Sequence, residues 1–262
     1  NTTFQHYSQF PLVSTMADSL TLPNGANCMV LIGCHTGDNQ EDSAVANRHS
    51  IDRGLFNQTH YNYELTELDK DEMFGDIDLA RTLDVKRGAD YTKCIGGFVR
   101  EKQIVRKGTV LVVKVAKIPK PTDQFPFVDK SVIYNQSEDV FIDTVITAHD
   151  EDGKFMCKVK YSAFRPIMVG DKLSSREGNK GIEAKQLDAA DMPYDVEGVT
   201  PDLIINCHSL PTRMAVNQII EGLLGLLAVT TGKFIDATAF QPVDIDSAIE
   251  QLAQHGIKHA GH

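Results

Sequence analysis

Residues 139–163, DVFIDTVITAHDEDGKFMCKVKYSA, decide the fold class of this 262-residue chain. Two stretches rich in β-branched and apolar residues, 139–148 and 154–163, flank the tetrapeptide Asp150-Glu151-Asp152-Gly153. Asp-Gly supplies the positive φ angles that a tight hairpin turn requires. The segment therefore predicts a β-hairpin in a chain built largely from strands.

Shorter segments on both sides of this hairpin predict further strands, one helical turn and two late helices. The predicted strands are 28–34 (buried), 44–47, 109–116 and 203–206, and the helical turn is 50–56. Residues 61–84 are acidic and polar with weak periodicity, which indicates an excursion from the core. Pro119, Pro121 and Pro126 predict a loop.

The late helices carry recognisable end signals. One is predicted to open at Pro211-Thr212-Arg213, with Thr212 as its N-cap, and to end at Gly232. The other is predicted to begin at Ser247, with Glu250 completing a capping box, and to stop at Gly256. Short strands followed by helices favour a barrel or a mixed β-rich core.

Charge is distributed unevenly along the chain. The net charge of −10 argues against a simple nucleic-acid coat. Residues 86–120 nevertheless hold ten Lys and Arg against two Asp and Glu, whereas residues 121–152 hold one Lys against eight Asp and Glu. This segregation indicates one surface that faces phosphates, although a solvated basic face explains the charge equally well.

Cysteine content and hydropathy indicate the cellular compartment in which the chain functions. The five cysteines are Cys28, Cys34, Cys94, Cys157 and Cys207. Their number is odd and no pair forms C-x-x-C, so we expect isolated buried thiols, no zinc in this chain and a reducing intracellular compartment. We expect no signal peptide, and the apolar stretch 219–230 is too short to span a bilayer, which predicts a buried helix and no membrane partner.

The first loop with chemical content is 37–43, GDNQEDS, in which Glu41 and Asp42 are adjacent carboxylates. Mg²⁺ takes oxygen ligands, and one or two carboxylates plus substrate phosphates are enough to hold it. Adjacent carboxylates also repel each other, so a turn that displays both favours a cation. Acidic turns are common on protein surfaces too, so the pair alone does not assign a metal site.

The second loop is 170–181, GDKLSSREGNKG, which places Lys172, Arg176 and Lys180 within nine residues. Its glycines exclude a helix and let the backbone approach an anion closely, and lysine binds phosphate as a point charge. It is not the G-x-x-x-x-G-K-[ST] phosphate loop, because Gly181 follows Lys180. A solvated basic loop remains the alternative interpretation.

One arginine and several histidines are further candidate ligands. Arg213, at the predicted first turn of a helix, offers a fork for phosphate oxygens, although surface arginines are common there. His208 is interpreted as a packed or hydrogen-bonded histidine rather than a metal ligand, and His255, His259 and His262 as a flexible tail. No G-x-S-x-G elbow and no Cys/His nucleophile pair is visible in the sequence.

Six strings in order resemble the second-largest, β-type subunit of multisubunit DNA-dependent RNA polymerases. They are YSQFPL at 7–12, NQEDS at 39–43, IDRGLF at 51–56, the segment from GDK at 170–172 to KG at 180–181, DMP at 191–193 and LPTRM at 210–214. The forms NQEDS and IDRGLF are similar to the archaeal, eukaryotic and large-DNA-virus branch rather than the bacterial one.

The resemblance implies a mixed β-rich α+β fold: a double-psi β-barrel with an inserted wall or flap subdomain and C-terminal helices. Residues 1–60 would be the hybrid-binding region and the first part of the barrel. Residues 61–150 would be the wall-like or flap-like insertion. Residues 151–262 would complete the barrel and supply the helices.

The resemblance also implies roles for individual residues. Glu41 and Asp42 would lie near the second Mg²⁺, which arrives with the incoming nucleotide. Lys172 and Lys180 would contact the RNA 3′ end and phosphates, and Arg213 the nucleotide triphosphate. The remaining predicted contacts to substrate or nucleic acid are Gln40, Arg176 and Asn179.

The implied activity is that of a nucleotidyltransferase within a DNA-directed RNA polymerase. The aspartate motif NADFDGD of the largest subunit is absent from this sequence, so we expect that subunit to supply the main Mg²⁺ ligands and this chain to be inactive alone. The implied partners are the largest subunit, other polymerase subunits, the DNA template, the RNA transcript and NTPs.

Three departures from the family pattern stand out. Glu177 occupies a position where family members often carry histidine, which lowers the local positive charge. Phe10 stands where a lysine commonly precedes the proline. The family's upstream lobes and downstream clamp-anchoring segment are missing, and His262 falls just before the latter should begin, so we expect a fragment or a split subunit.

Two other functions are compatible with the sequence. One is a non-catalytic barrel module that serves polymerase assembly and contacts nucleic acid non-specifically through residues 86–120. The other is a stand-alone metal phosphohydrolase that uses Glu41 and Asp42, which the lack of further clustered carboxylate or histidine ligands disfavours.

Overall fold

The computed structural model describes residues 1–78, 80–122, 125–151 and 153–257. Strands predominate in these residues. They are β1 (Thr2–Gln5), β2 (Val13–Ser14), β3 (Val30–Ile32), β4 (Ser43–Asn47), β5 (Gln58–Glu67), β6 (Glu72–Phe74), β7 (Thr82–Leu83), β8 (Cys94–Ile95), β9 (Phe98–Val99), β10 (Ile104–Val105), β11 (Val110–Val112), β12 (Lys114–Thr122), β13 (Phe125–Asp129), β14 (Val132–Ile133), β15 (Val140–His149), β16 (Phe155–Arg165), β17 (Lys172–Ser174), β18 (Lys180–Leu187), β19 (Leu203–Ile205) and β20 (Ile235–Asp236). The α-helices are α1 (Arg48–Asp52), α2 (Ser209–Thr212), α3 (Val216–Thr231) and α4 (Ile245–Gln254), and 3₁₀ turns occur at Met16–Leu20 and Ala189–Asp191. The fold is therefore β-rich and mixed α+β, as predicted.

The chain divides into two compact units. The first contains Asn1–Phe4 and Thr59–Arg165, and the second contains Gln5–Gln58 and the residues from Pro166 onward. Strand β16 thus belongs to the first unit. The assignment of 1–60, 61–150 and 151–262 to barrel, insertion and barrel stays a prediction.

The predicted hairpin is confirmed in the first unit. Strands β15 and β16 pair antiparallel from Phe141 opposite Ser162 to His149 opposite Phe155. Every second residue of β16 is buried from Cys157 to Ala163, as expected for a strand with one face on a core. At the turn, the Gly153 N–H donates to the Asp150 carbonyl (2.8 Å) with φ of 77° at Gly153, while Asp152 lies outside the described residues.

The rest of the first unit differs from the sequence predictions at residues 61–84 and 109–116. Strand β5 covers residues 61–67 of the segment predicted as an excursion and lies between β1 and β16. The predicted strand 109–116 is interrupted at Val113, whose N–H donates to the Gly97 carbonyl (2.8 Å). The remaining sheets of this unit have the orders β14-β11-β9-β8 and β6-β12-β13-β7.

The predicted proline loop is wrong. Residues 119 and 121 lie within β12, and residue 126 lies within β13. Lys117 pairs with Phe127 and Thr122 with Phe125, with a shift in register between them. The two prolines of β12 fall in this interval, where a missing N–H interrupts the ladder least.

The second unit is organised around a five-stranded sheet of order β17-β18-β4-β19-β3. Strands β18 and β4 are parallel, β4 and β19 antiparallel, and β19 and β3 parallel. Strand β4 is central, and its residues from Ala44 to Asn47 are buried. The strand predicted at 28–34 is present as β3, but the prediction that it is buried is wrong, because Val30 and Ile32 are exposed.

The helices of the second unit confirm one predicted end and correct two. Gly232 ends α3 in the left-handed conformation (φ 68°), with its N–H donated to the Ala228 carbonyl. Helix α4 begins at Ile245, because the Asp244 side chain caps it by accepting the Ser247 N–H (3.0 Å), so the predicted Ser247 start is wrong. The second correction concerns Arg213, which lies beyond the end of α2 instead of opening a helix.

Two predictions concern the chain as a whole, a closed barrel and the lack of a membrane-spanning helix. A closed barrel is not found among the strands of the described ranges, so the double-psi β-barrel stays a prediction. None of the helices in the described part of the chain is long and apolar enough to cross a membrane.

Candidate functional site

The acidic turn sits at the end of a loop held by one buried amide. Asn39 is fully buried; its Oδ1 accepts the His35 N–H (2.9 Å), and its Nδ2 donates to the Gly33 carbonyl (2.6 Å). Beyond it, the Ser43 N–H donates to the Gln40 carbonyl (3.1 Å), and Glu41 adopts a positive φ of 54°. Gln40, Glu41 and Asp42 are exposed on this turn.

The Asp42 backbone is fixed against β18. Its carbonyl oxygen accepts the Ile182 N–H (2.9 Å), which extends the parallel pairing that places Ile182 opposite Ser43. The approach is so close that a Cβ at Gly181 would lie 2.7 Å from the Asp42 carbonyl oxygen. Position 181 therefore requires glycine for space, and the acidic turn lies directly beside the start of β18.

Lys172 and Lys180 share one face of the hairpin formed by β17 and β18. Lys172 is opposite Ile182, and Ser174 is opposite Lys180. Directly opposite residues project to the same side of a sheet, as do residues two apart in one strand. Both lysines are exposed, so this face presents two ammonium groups to solvent next to the strand that holds Asp42.

The tip of the basic loop is a turn rather than a helix, as its glycines predict. The Ser175 N–H donates to the Asn179 carbonyl (3.0 Å), and the Gly178 N–H donates to the Ser175 carbonyl (3.1 Å). The Asn179 side chain forms hydrogen bonds within the chain: its Nδ2 donates to Ser209 Oγ (3.2 Å) and to Gln218 Oε1 (3.1 Å). Asn179 therefore connects the loop to α2 and α3.

Arg176 faces a different part of the second unit. Its Nη1 donates to the Val13 carbonyl (3.4 Å), and its Nη2 lies 3.5 Å from Asp18 Oδ1. The pKa of Asp18 is lowered, first by a hydrogen bond from the Thr15 N–H and further by the Arg176 charge. The Arg176 charge is thus partly matched within the chain.

Arg213 reaches the acidic turn from the far end of α2. This helix is anchored by Asn206, whose carbonyl accepts from the Ser209 Oγ (2.7 Å), and by the buried Leu210. Arg213 Nη2 forms an ion pair with Asp42 Oδ2, with side-chain exposures of 27% and 53%. The predicted helix N-terminus around Arg213 is wrong, because the Thr212 hydroxyl donates back to the His208 carbonyl (2.8 Å) instead of capping a following helix.

The structure therefore brings together Glu41, Asp42, Lys172, Lys180 and Arg213 around the β4–β18 edge. A second ion pair supports the preceding loop, since Lys185 Nζ lies 2.9 Å from Asp38 Oδ2. The pKa of Asp38 is lowered, mainly by its hydrogen bond from Lys185 and then by the Thr36 hydroxyl.

One acidic residue of β18 is not indicated by any sequence pattern. Glu183 is fully buried; its Oε1 accepts from Gln186 Nε2 (2.6 Å), and its Oε2 has no hydrogen-bond partner. Burial raises the pKa of Glu183, against a lowering by the Gln186 hydrogen bond and with a further increase from Asp171. The alternation of apolar and polar residues in β18 predicts that Ile182 is buried and Glu183 exposed. In the structure Ile182 is exposed and Glu183 is buried.

The expectation of isolated buried thiols is wrong in two respects: Cys34 and Cys207 are not isolated, and of the five cysteines Cys157 alone is buried. Cys34 Sγ lies 3.8 Å from Cys207 Sγ, and both are close to His208 Nδ1. Cys34 is exposed and Cys207 half-buried. The predicted hydrogen bond of His208 is present, since its Nδ1 is 3.0 Å from Asn206 Oδ1.

The basic block of the first unit is partly matched by its own chain. The acceptors are the Ser131 carbonyl for Lys86, the Ile104 carbonyl for Lys93, Asp139 for Arg106 and Glu72 for Lys114. The Lys114–Glu72 pair is the most enclosed of these ion pairs, with side-chain exposures of 15% and 11%. Part of the charge counted in residues 86–120 therefore stabilises the unit itself.

Comparisons with known proteins agree with the resemblance seen in the sequence. Residues 1–262 match the family model described as RNA polymerase Rpb2, domain 6. DNA-directed RNA polymerase II subunit 2 of Arabidopsis thaliana is 34% identical over 270 residues, which cover 98% of this chain and 23% of that protein. DNA-directed RNA polymerase subunit Rpo2 of Saccharolobus solfataricus is 32% identical over 267 residues, covering 96% of this chain and 24% of that protein.

A protein from a virus is also similar to this chain. A probable DNA-directed RNA polymerase II subunit RPB2 homolog of Invertebrate iridescent virus 3 is 36% identical over 259 residues, covering 95% of this chain and 22% of that protein. The chain thus spans about a quarter of the length of these relatives, which come from a eukaryote, an archaeon and a large DNA virus, and the predicted resemblance is confirmed. The chain belongs to the RNA polymerase Rpb2 domain 6 family.

Proposed function

We propose that this chain forms part of the catalytic core of a DNA-directed RNA polymerase, where it binds the triphosphate of the incoming nucleotide, the RNA 3′ end and the RNA–DNA hybrid. The observation that carries the proposal is the Asp42–Arg213 ion pair, held beside the two-lysine face by the bond from Ile182 N–H to the Asp42 carbonyl. Residues from three distant stretches of sequence meet there.

The cations suit phosphate oxygens in different ways. Arg213 offers a planar fork that binds two oxygens at once, whereas Lys172 and Lys180 act as compact point charges. The lysines stand on a strand pair and Arg213 follows an anchored helix, so the backbone that carries them needs little ordering when a phosphate arrives. In the proposed role Arg213 binds the triphosphate, and the lysines bind RNA phosphates and the 3′ end.

The acidic turn fits Mg²⁺ by the chemistry of its donors. Glu41 and Asp42 are exposed carboxylates, and Mg²⁺ in nucleotide sites is usually held by one or two carboxylates together with substrate phosphates and water. When bound, the ion neutralises phosphate charge and supports in-line displacement. The main ligands of the shared metal centre would come from the largest subunit.

The Asp42–Arg213 pair suggests how the site is kept ready without substrate. Each side chain neutralises the other, and the pair is partly solvated, so its contribution to stability is small, about 0–1 kcal/mol. A magnesium-bound triphosphate offers Asp42 a cation and Arg213 an anion at the same time. We expect the two side chains to exchange each other for these partners.

The remaining parts of the proposal follow from membership of the family. The partners would be the largest subunit, other polymerase subunits, template DNA and the transcript, and this chain would not polymerise alone. We also propose that the sheet of the second unit is part of a double-psi β-barrel. Its support is the crossed order, in which β19 separates β3 from β4 and β4 separates β18 from β19.

The test is nucleotide addition by a polymerase assembled with this chain. Arg213→Ala should lower kcat/KM for the incoming nucleotide by roughly ten- to a hundredfold, the equivalent of about 1.5–3 kcal/mol for a charged hydrogen bond. Lys172→Ala and Lys180→Ala should slow extension while assembly stays intact. Lys233→Ala, an exposed lysine just beyond α3, is the matched control and should leave the rate unchanged.

Two results would count against the proposal. An unchanged kcat/KM in Arg213→Ala removes the triphosphate role. Loss of assembly in the lysine variants, with normal extension by whatever enzyme does assemble, indicates a structural module in place of a catalytic one.

A further inference from the structure

Three soft or borderline ligand atoms converge at one edge of the second unit. Cys34 Sγ is 3.8 Å from Cys207 Sγ, and His208 Nδ1 is 3.7 Å from the first sulfur and 3.8 Å from the second. In the part of the chain that the structure describes, the ligand atoms of these two cysteines and one histidine all lie within 4.8 Å of one another, close enough to share one metal ion. The group differs in ligand chemistry from the acidic turn, since it offers thiols and an imidazole instead of carboxylates.

The backbone explains why residues so distant in sequence meet. Strands β3 and β19 are parallel, with Ile32 opposite Ile205. Cys34 and Cys207 each follow two residues after this pair, so parallel strands deliver them to the same edge. The Gly33 N–H donates to the Ile205 carbonyl (2.9 Å) and continues the ladder up to the cysteines.

The spacing matches the edges of a zinc tetrahedron. With Zn–S near 2.3 Å and Zn–N near 2.0–2.1 Å, tetrahedral angles give S···S of about 3.8 Å and S···N of about 3.6 Å. The observed separations of 3.8, 3.7 and 3.8 Å fall at these values. We propose that Cys34, Cys207 and His208 bind one Zn²⁺ ion through three protein ligands, with the fourth position open to water.

The neighbouring Asn206 does not prevent Cys34, Cys207 and His208 from binding a metal. Asn206 is buried, and its Oδ1 accepts the His208 N–H (3.0 Å), so it keeps a partner when His208 Nδ1 turns toward the ion. Thiolate ligands select zinc over Mg²⁺, which prefers oxygen, so the proposed site does not compete with Glu41 and Asp42 for the same ion. The absence of a C-x-x-C pair led the sequence to predict no zinc, but spacing along the chain does not report pairing across parallel strands.

A bound Zn²⁺ would join two loops. Cys34 begins the loop that leads to the acidic turn, and His208 precedes the helix that leads to Arg213. Cross-linking these loops would restrict the motion of the two chain segments that lead to Asp42 and to Arg213. The zinc proposal itself does not depend on nucleotide binding, and its test does not use activity.

The test is metal binding by the full 262-residue chain, purified under reducing conditions and loaded with Zn²⁺ or, for spectroscopy, Co²⁺. We expect one tightly held zinc per chain after desalting, a thiolate-to-cobalt charge-transfer band and the intense d–d absorption of tetrahedral Co²⁺. Cys34→Ser, Cys207→Ser and His208→Ala should each lose these signals. Cys28→Ser is the matched control: its half-buried sulfur lies in the same unit and donates to the Ala26 carbonyl (3.7 Å), and the variant should bind metal normally.

A second measurement needs no variant and so does not depend on variant folding. Zn²⁺ should protect Cys34 and Cys207 from alkylation, and a chelator should restore their reactivity, as mapped by peptide mass spectrometry. Substoichiometric metal, unchanged Co²⁺ spectra in Cys34→Ser, or alkylation that ignores zinc would overturn the proposal. A Cys34–Cys207 disulfide formed in place of metal binding, seen as the loss of two hydrogens in mass, would also overturn it.

Discussion

Gly181→Ala is the substitution whose effect the structure determines most sharply. The new Cβ would lie 2.7 Å from the Asp42 carbonyl oxygen, a distance that real Cβ contacts essentially never show. The obstacle is backbone, so no side-chain rotation relieves it, and β4 must move away from β18. The bond from the Ile182 N–H to the Asp42 carbonyl (2.9 Å) is the contact most directly strained.

The expected loss combines two effects. Overpacking costs about 1–3 kcal/mol, and weakening one backbone hydrogen bond adds about 0.5–1.5 kcal/mol. We therefore expect the free energy of unfolding of the second unit to fall by roughly 1.5–4.5 kcal/mol. Gly222→Ala is the matched control, because a Cβ at this exposed position inside α3 meets nothing within 4 Å. It should be neutral or stabilising by about 0.5–1 kcal/mol.

The assay is urea unfolding followed by far-UV circular dichroism, since the chain has no tryptophan. Hydrogen exchange of peptides that contain β4 and β18 localises the effect, because a chain with two compact units need not unfold in a single step. The reasoning is refuted if Gly181→Ala matches the parent within about 0.5 kcal/mol, or if faster exchange appears in Gly222→Ala and not around β18.

Two further predictions concern side chains of the second unit. The folded-state pKa of Glu183 is raised by burial, so the native state binds the proton more tightly than the unfolded state, and stability is lost as pH rises above the unfolded value of about 4.3. Glu183→Gln should remove this loss and be more stable than the parent at pH 7.5, with the two converging near pH 4, as measured by urea titration; parallel pH profiles would contradict this. Asp244→Ala should destabilise the chain by about 0.5–2 kcal/mol in thermal or urea unfolding because it removes the cap of α4, whereas Ser247→Ala should have a smaller effect, and a reversed order would restore Ser247 as the cap.

The sequence predicted most reliably where a local signal has one structural solution. Asp-Gly between two alternating segments gave the β15–β16 hairpin, and Gly232 gave the end of α3. Local signals failed where two residues compete for one role. Asp244 caps α4 in place of Ser247, and the Thr212 hydroxyl turns back to the His208 carbonyl, so Pro211 lies inside α2 instead of opening a longer helix.

The arrangement of the candidate site depends on pairing that no local pattern encodes. The acidic turn meets Arg213 because β4 pairs with both β18 and β19, and the register of these pairs fixes which side chains are neighbours. The same kind of register brings Cys34 to Cys207. The resemblance named the site residues, whereas their contacts within the chain, such as Asn179 with Gln218, required the structure.

The central claim is that the acidic turn, the two-lysine face and Arg213 surround one magnesium-bound nucleotide. It is tested most directly by cross-linking an NTP with a photoreactive γ-phosphate in the assembled polymerase and mapping the modified peptides. We predict that cross-links in this chain concentrate at residues 40–43, 172–182 and 213–214 and require Mg²⁺. Cross-links in this chain confined to residues 59–165, or unaffected by removal of Mg²⁺, would contradict the account.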